Sequence, residues 1–297
     1  MDLKVKIYSA MPAFVKRGMT VAYINLRKFR EWKAADIQEL PAQGQPPKIV
    51  YMTGFPRAGT TMLKYYFGSH DGLRQTAFNP VGFFRAWKLT EAVENKDILV
   101  DKSNHYIYAL KNLFAAYGDA ARVCVVIRDP RDSLVSFTKY QENREVPRSS
   151  SYWRYWQKQH DELLRIAETE KHGKCIYMIR YEDLVCHPEQ AKIDFLKWLG
   201  LSVDEAQIDR SYEVHNPGES WHDSVYEHKE VGDHALQKWQ QMETLPAWAE
   251  RLLPAWQDDS RVSELMKRFG YHENGFSAPE LSSANFNLFC PDDQTDT

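Results

Sequence analysis

Gly54-Phe55-Pro56-Arg57-Ala58-Gly59-Thr60-Thr61 sets two glycines five positions apart and follows the second with two hydroxyl residues. The stretch comes directly after the apolar run Ile49-Val50-Tyr51-Met52. It leads into Met62-Leu63-Lys64-Tyr65-Tyr66-Phe67, which reads as the start of a helix. Strand, glycine loop and helix N-terminus in that order aim several backbone N–H groups and the positive end of a helix dipole at one anion. A nucleoside triphosphatase needs a lysine right after the second glycine to reach the β- and γ-phosphates. Here that position is Thr60. A phosphate-cradling loop without this lysine suits a nucleotide with a single 5′-phosphate and a group other than phosphoryl to transfer.

Outward from the loop, apolar runs alternate with helical patterns from residue 48 to about 201. That alternation predicts an α/β fold, a central parallel β-sheet flanked by helices. Strands are expected over 49–53, 98–100, 122–127 and 175–180. The run Arg122-Val123-Cys124-Val125-Val126-Ile127 is the strongest, because it is apolar on both faces. Ile107, Leu110, Phe114 and Tyr117 recur at helical spacing and Gly118 closes that helix. Ser149-Ser150-Ser151 supplies a cap for a long helix from Tyr152 to about Lys171, and Pro188 opens another that ends at Gly200.

Composition narrows the function classes. A chain of 297 residues with a formal charge of −3 is not a general polyanion binder, so no nucleic-acid partner is expected. Nothing reads as a transmembrane segment or a signal-peptide core. Cys124 and Cys175 fall inside strand-like runs and no C-x-x-C pair exists. They read as buried free thiols, which points to a reducing, cytoplasmic setting. Three regions are expected: an amphipathic extension over 1–47, a core over 48–271 and an acidic, mobile tail over 272–297. The first 33 residues carry eight Lys or Arg against two acids, with Phe14, Tyr23, Phe29 and Trp32 interleaved. That pattern reads first as a helix packed on the core and second as a membrane-surface or partner contact.

A second anion site follows the strongest strand, in Arg128-Asp129-Pro130-Arg131-Asp132-Ser133-Leu134-Val135-Ser136. Ligands of open α/β sheets bind beyond the carboxyl ends of strands. Arg128 stands at such an end, where its planar fork can hold a phosphate. Pro130 opens a helix that carries Ser136 about two turns beyond Arg128. The competing structural role for Arg128 is an ion pair with Asp129 or Asp132.

Together the two segments resemble the donor-binding elements of sulfotransferases that use 3′-phosphoadenosine-5′-phosphosulfate (PAPS). In that family a P-[KR]-x-G-T-T loop binds the 5′-phosphosulfate and an R-[DN]-P-x-D-x-x-x-S segment binds the 3′-phosphate. This chain supplies Pro56-Arg57-Ala58-Gly59-Thr60-Thr61 and Arg128-Asp129-Pro130-Arg131-Asp132 with Ser136. Tyr181-Glu182-Asp183-Leu184 is similar to the family's Y-E-D-L/M segment, and Gly232, Trp239 and Phe269-Gly270-Tyr271 are similar to its closing pattern.

The resemblance implies a P-loop-like sulfotransferase fold and PAPS as donor, with 3′,5′-bisphosphoadenosine (PAP) as product and no metal. It implies donor binding by Arg57, Ala58, Gly59, Thr60, Thr61, Met62, Arg128, Ser136 and Tyr181. His228 or Lys229 would meet the 3′-phosphate. Catalysis falls to Arg57 and to Lys102, which lies in Val100-Asp101-Lys102-Ser103-Asn104-His105 where relatives carry a catalytic lysine. His105 is the base candidate, since a free imidazole titrates near ~6.5, with Asp101 and Glu91 in reserve. Phe78, Phe83, Phe84, Trp87, Tyr152, Trp153, Tyr155 and Trp156 serve the core or line an acceptor pocket. The six acids of residues 213–233 leave a cationic or amine-bearing acceptor conceivable. The expected partner is a small-molecule acceptor, a soluble metabolite or natural product; a homodimer is compatible with it. Two rival readings are a P-loop kinase or nucleotidase and an inactive PAP-binding scaffold.

Overall fold

The structure is a computed structural model. It describes residues 49–76, 98–104, 106–118, 121–140, 152–168, 173–204, 208, 236–241 and 247–277. The expectations for residues 1–47, for the Ser149-Ser150-Ser151 cap, and for Phe78, Phe83, Phe84, Trp87, Glu91, His105, His228, Lys229 and Gly232 lie outside these residues.

Five strands form one all-parallel sheet. They are β1 (Ile49–Gly54), β2 (Leu73–Gln75), β3 (Ile98–Lys102), β4 (Ala121–Ile127) and β5 (Ile176–Arg180). Their order across the sheet is β2-β3-β1-β4-β5. The first strand in sequence therefore lies at the centre, with β3 and β4 on its two sides. Every residue of β1 and β5 is buried, and β4 is buried but for Arg122. Such runs of Val, Ile and aromatic residues, buried on both faces, are what a parallel sheet between helices demands.

Helix α1 (Thr60–Phe67) leaves the end of β1, and all eight of its residues are buried. A 3-10 turn (Tyr106–Ala109) and then α2 (Leu110–Tyr117) lead from β3 to β4. Helix α3 (Pro130–Tyr140) follows β4, and α4 (Tyr152–Ala167) packs Trp153, Trp156, Leu163 and Leu164 inward. After β5 come α5 (Tyr181–Cys186) and α6 (Pro188–Leu199). Gly200 closes α6 at φ 74°, and the Leu201 N–H returns to the Leu196 carbonyl at 2.9 Å, the wrap that a left-handed C-terminal residue permits.

Near the C-terminus α7 (Ser260–Arg268) is capped by Asp259, whose carboxylate accepts from the Arg261 and Val262 N–H groups. A small antiparallel hairpin, β6 (Tyr271–His272) with β7 (Gly275–Phe276), comes next and spans the expected boundary between residues 271 and 272. Cys124 and Cys175 are buried free thiols, whereas Cys186 is exposed.

Candidate functional site

The loop after β1 is a tight turn. The Ala58 N–H donates to the Phe55 carbonyl at 3.0 Å. Arg57 adopts φ 69° and Gly59 φ 98°, both in the left-handed region. For Arg57 that conformation costs ~1–2 kcal/mol, so its neighbours must hold it there. At Gly59 a side chain is excluded twice over, by the backbone angle and because a Cβ would lie 2.5 Å from Tyr181 Cδ2. Intrahelical bonding starts with Leu63 N–H to the Gly59 carbonyl at 3.0 Å. The N–H groups of Thr60, Thr61 and Met62 thus belong to the first helical turn, where no intrahelical acceptor exists.

The segment after β4 closes on this loop. Arg57 Nε donates to Ser136 Oγ at 3.0 Å, across 79 residues of sequence. Arg128 Nη1 donates to the Arg57 carbonyl at 3.1 Å. The Arg128 guanidinium lies 4.2 Å from the centre of the Tyr181 ring, so one aromatic ring packs against Gly59 and supports Arg128 as well. Asp129 is taken by Arg131, through Nε–Oδ1 at 2.9 Å and Nη2–Oδ2 at 2.7 Å. Asp132 Oδ2 stays 3.9 Å from Arg128 Nη2, and its other oxygen accepts from the Trp239 N–H at 3.1 Å. The ion pair that competes for Arg128 in the sequence reading is therefore a long one with Asp132, and Asp129 is spent elsewhere.

Carboxylates beneath this cluster are held protonatable near neutral pH. Burial pushes Asp132 up to about 6 against the pull of Arg128. Burial also pushes Glu182 up to about 7. Glu182 accepts from the Asp129 N–H at 3.0 Å and from the Tyr271 hydroxyl at 2.8 Å, which ties the post-β4 segment to the C-terminal hairpin.

Lys102 ends β3 opposite Met52, half-buried. Beyond it the Ser103 N–H donates to the Met52 carbonyl at 3.1 Å and the Tyr106 N–H returns to Ser103 O at 3.1 Å. Asp101 is fully buried. Its carboxylate accepts from Thr76 Oγ1 at 2.6 Å and from the Tyr106 hydroxyl, so it braces the turn. The tyrosine and tryptophan set divides. Trp156 is buried and Trp153 Nε1 donates to Leu252 O at 2.6 Å. Tyr152 donates to Pro130 O at 2.7 Å. Tyr155 is 43% exposed and its ring centre is 5.8 Å from that of Phe55, which makes it an exposed aromatic surface beside the glycine loop.

Sequence reasoning missed several participants. Lys64 is buried on the second turn of α1 and donates to Thr76 O at 2.7 Å; burial holds its ammonium down to about 8. Asn104 accepts from Thr60 Oγ1 at 2.9 Å, and no local pattern announces a contact between these two turns. Arg131 stacks on Trp239 at 4.0 Å. Among the described residues no cluster of His, Cys, Asp or Glu is placed to hold a metal ion, and no helix is long and apolar enough to cross a membrane.

Comparison with known proteins bears on the family and the fold. Residues 75–205 match the family model described as "Sulfotransferase family". The glycine loop lies outside the matched stretch, so loop and match are separate observations. The "Sulfotransferase Domain from the Curacin Biosynthetic Pathway" superposes with a TM-score of 0.54 at 16% identity, covering 77% of this chain and 99% of that one. The "Sulfotransferase Domain from the Synechococcus PCC 7002 Olefin Synthase" gives 0.50 at 20% identity, covering 74% and 98%. A curated relative, "WSCD family member GA21586" of Drosophila pseudoobscura pseudoobscura, is 22% identical over 175 residues. The match covers 54% of each chain, so this chain spans about half the length of that relative. The resemblance to the sulfotransferase family, read first from two short motifs, is shown by the family match and by the fold.

Proposed function

We propose that this sulfotransferase fold moves the sulfuryl group of PAPS to a hydroxyl or amine of a small soluble acceptor, a metabolite or natural product, and releases PAP. The observation that carries the reading is the meeting of Arg57, Ser136, Arg128 and Tyr181 over the glycine loop. One arm of a doubly phosphorylated adenosine fits the loop N–H groups with Thr60 and Thr61; the other fits Arg128 and Ser136. Residues 48–271 carry this grip in our reading, and Lys229 or His228 adds a further cation to the 3′-phosphate.

Sulfuryl transfer, like phosphoryl transfer, proceeds through a loose in-line transition state, so the protein's task is to position groups and neutralise charge. The sulfur to bridging-oxygen bond breaks with its electron pair left on the departing 5′-phosphate. A new bond forms from the acceptor oxygen or nitrogen to sulfur, and the acceptor's proton passes to a base. Arg57 cannot release a proton, so its part is an electrostatic clamp on the departing phosphate. Lys102, at the neighbouring strand end, is assigned to the bridging or sulfonyl oxygen. His105 is assigned as the base.

Titration calorimetry with PAP and with ATP, each with and without Mg²⁺, tests the reading. PAP is expected to bind without Mg²⁺ and more tightly than ATP. Arg128→Ala should weaken PAP by ~10–100-fold, the worth of charge-assisted hydrogen bonds. Tighter binding of Mg·ATP would replace this reading with a phosphoryl-transfer one. Tight PAP binding with no turnover over a broad acceptor panel, in wild type and Lys102→Ala alike, would leave a scaffold.

A further inference from the structure

Asn104, in the post-β3 turn, touches the glycine-loop helix. Thr60, whose hydroxyl it accepts at 2.9 Å, is the first residue of α1 and is buried. An anion seated on that helix terminus lies beside Thr60 and hence within reach of the Asn104 amide. The turn itself is fixed on both sides: Ser103 N–H is bonded to Met52 O, Tyr106 N–H to Ser103 O, and the Tyr106 hydroxyl to Asp101. With Oδ1 engaged by Thr60, the two N–H donors of Nδ2 have no acceptor among the described residues, and Asn104 is only half-buried. A side chain whose acceptor end is pinned by the phosphate loop and whose donor end is open is preorganised for an oxygen arriving between that loop and Lys102.

We propose that Asn104 is a further catalytic residue, whose side-chain amide donates a hydrogen bond to a sulfonyl oxygen of the group being transferred. This rests on the PAPS reading above. The chemistry suits a neutral donor. The sulfonyl oxygens share the charge of the transferring group, Arg57 and Lys102 supply the cations nearby, and an amide adds direction without a further charge to desolvate. The Thr60 bond makes the contact dependent on the loop, so Asn104 couples the position of Lys102 to that of the helix terminus.

PAP lacks the sulfonyl group, and that difference gives a binding test independent of any acceptor. Dissociation constants for PAPS and for PAP are measured by calorimetry on wild type, Asn104→Ala and Asn104→Asp. Asn104→Ala should weaken PAPS by ~3–10-fold, the worth of one hydrogen bond, and leave PAP within about twofold. Asn104→Asp, equal in size, should weaken PAPS further by setting a carboxylate against the sulfonyl oxygens. Equal losses for both nucleotides would make Asn104 a support of the turn alone and overturn the proposal, as would unchanged PAPS binding in both variants. Wild type binding neither nucleotide would sink the donor reading together with this one, a result distinct from intact wild-type binding with a silent Asn104.

Discussion

His160 shows how far burial can bend a single group. Its ring is fully buried in α4, tilted against Trp156 with ring centres 4.3 Å apart and edge-on to Phe269, with Nδ1 2.8 Å from the Trp156 carbonyl. Burial holds the imidazole down to about 4, against 6.5 in the unfolded chain. Between those values the unfolded state binds more protons, so stability is lost as pH falls through that window. Glu182 and Asp132 act with the opposite sign: their raised values let the folded state bind more protons, so they add stability as pH falls through about 7 and about 6. Replacing His160 with Phe should therefore remove a loss of ~2 kcal/mol between about pH 6.5 and pH 5. Urea unfolding of both proteins at the two pH values reads this directly. An acid slope equal to wild type would show that His160 is not the group responsible. None of this was visible in the sequence, where His160 is one of ten histidines.

At the scale of elements, the strand-loop-helix unit over residues 49–67 was legible because its requirements are local: an apolar run, two glycines at fixed spacing, a helical continuation. The strands over 98–100 and 122–127 were legible for the same reason, being short of only a residue or two at their ends. β2 was not, since Leu73-Arg74-Gln75 is a three-residue edge with no alternation to detect. The helical spacing at 107–117 also concealed a break, the 3-10 turn Tyr106–Ala109, which the Tyr106 to Asp101 bond imposes from outside the segment. The unit's weakest tolerance is at Gly59. Gly59→Ala meets both the left-handed angle and the Tyr181 ring, so it should cost ~1–3 kcal/mol of stability and displace the ring that supports Arg128. A thermal melt together with PAP affinity checks it. A variant that melts like wild type and keeps its PAP affinity would contradict the packing described.

Across the whole molecule, the C-terminal residues are fastened to the strand ends by buried guanidiniums. Arg180, fully buried, holds Asp183 through Nε at 2.7 Å and also donates to the carbonyls of Phe269 at 3.0 Å and Ser277. Arg131 reaches the Gly275 carbonyl at 3.3 Å, and Tyr271 reaches Glu182. These bonds join positions about ninety to one hundred and forty apart, which is why the motifs announced the glycine loop but not its fastening. Arg180→Met should destabilise by ~3–5 kcal/mol, because it strands the Asp183 charge in the interior. Adding Asp183→Leu should recover much of that loss, and guanidinium denaturation of the single and double variants tells whether it does. A single variant as stable as wild type would show that the hairpin is held by packing alone.

The parallel order of the sheet has a consequence for biosynthesis. β1 has no partner near it in sequence: it pairs with β3 and β4, roughly fifty and seventy residues on. On a nascent chain, residues 54–61 therefore cannot sit between both of their neighbouring strands before residue 127 has been made. Since such distant pairings pay their loop-closure entropy before any reward, the loop takes its final shape well after its own residues are made.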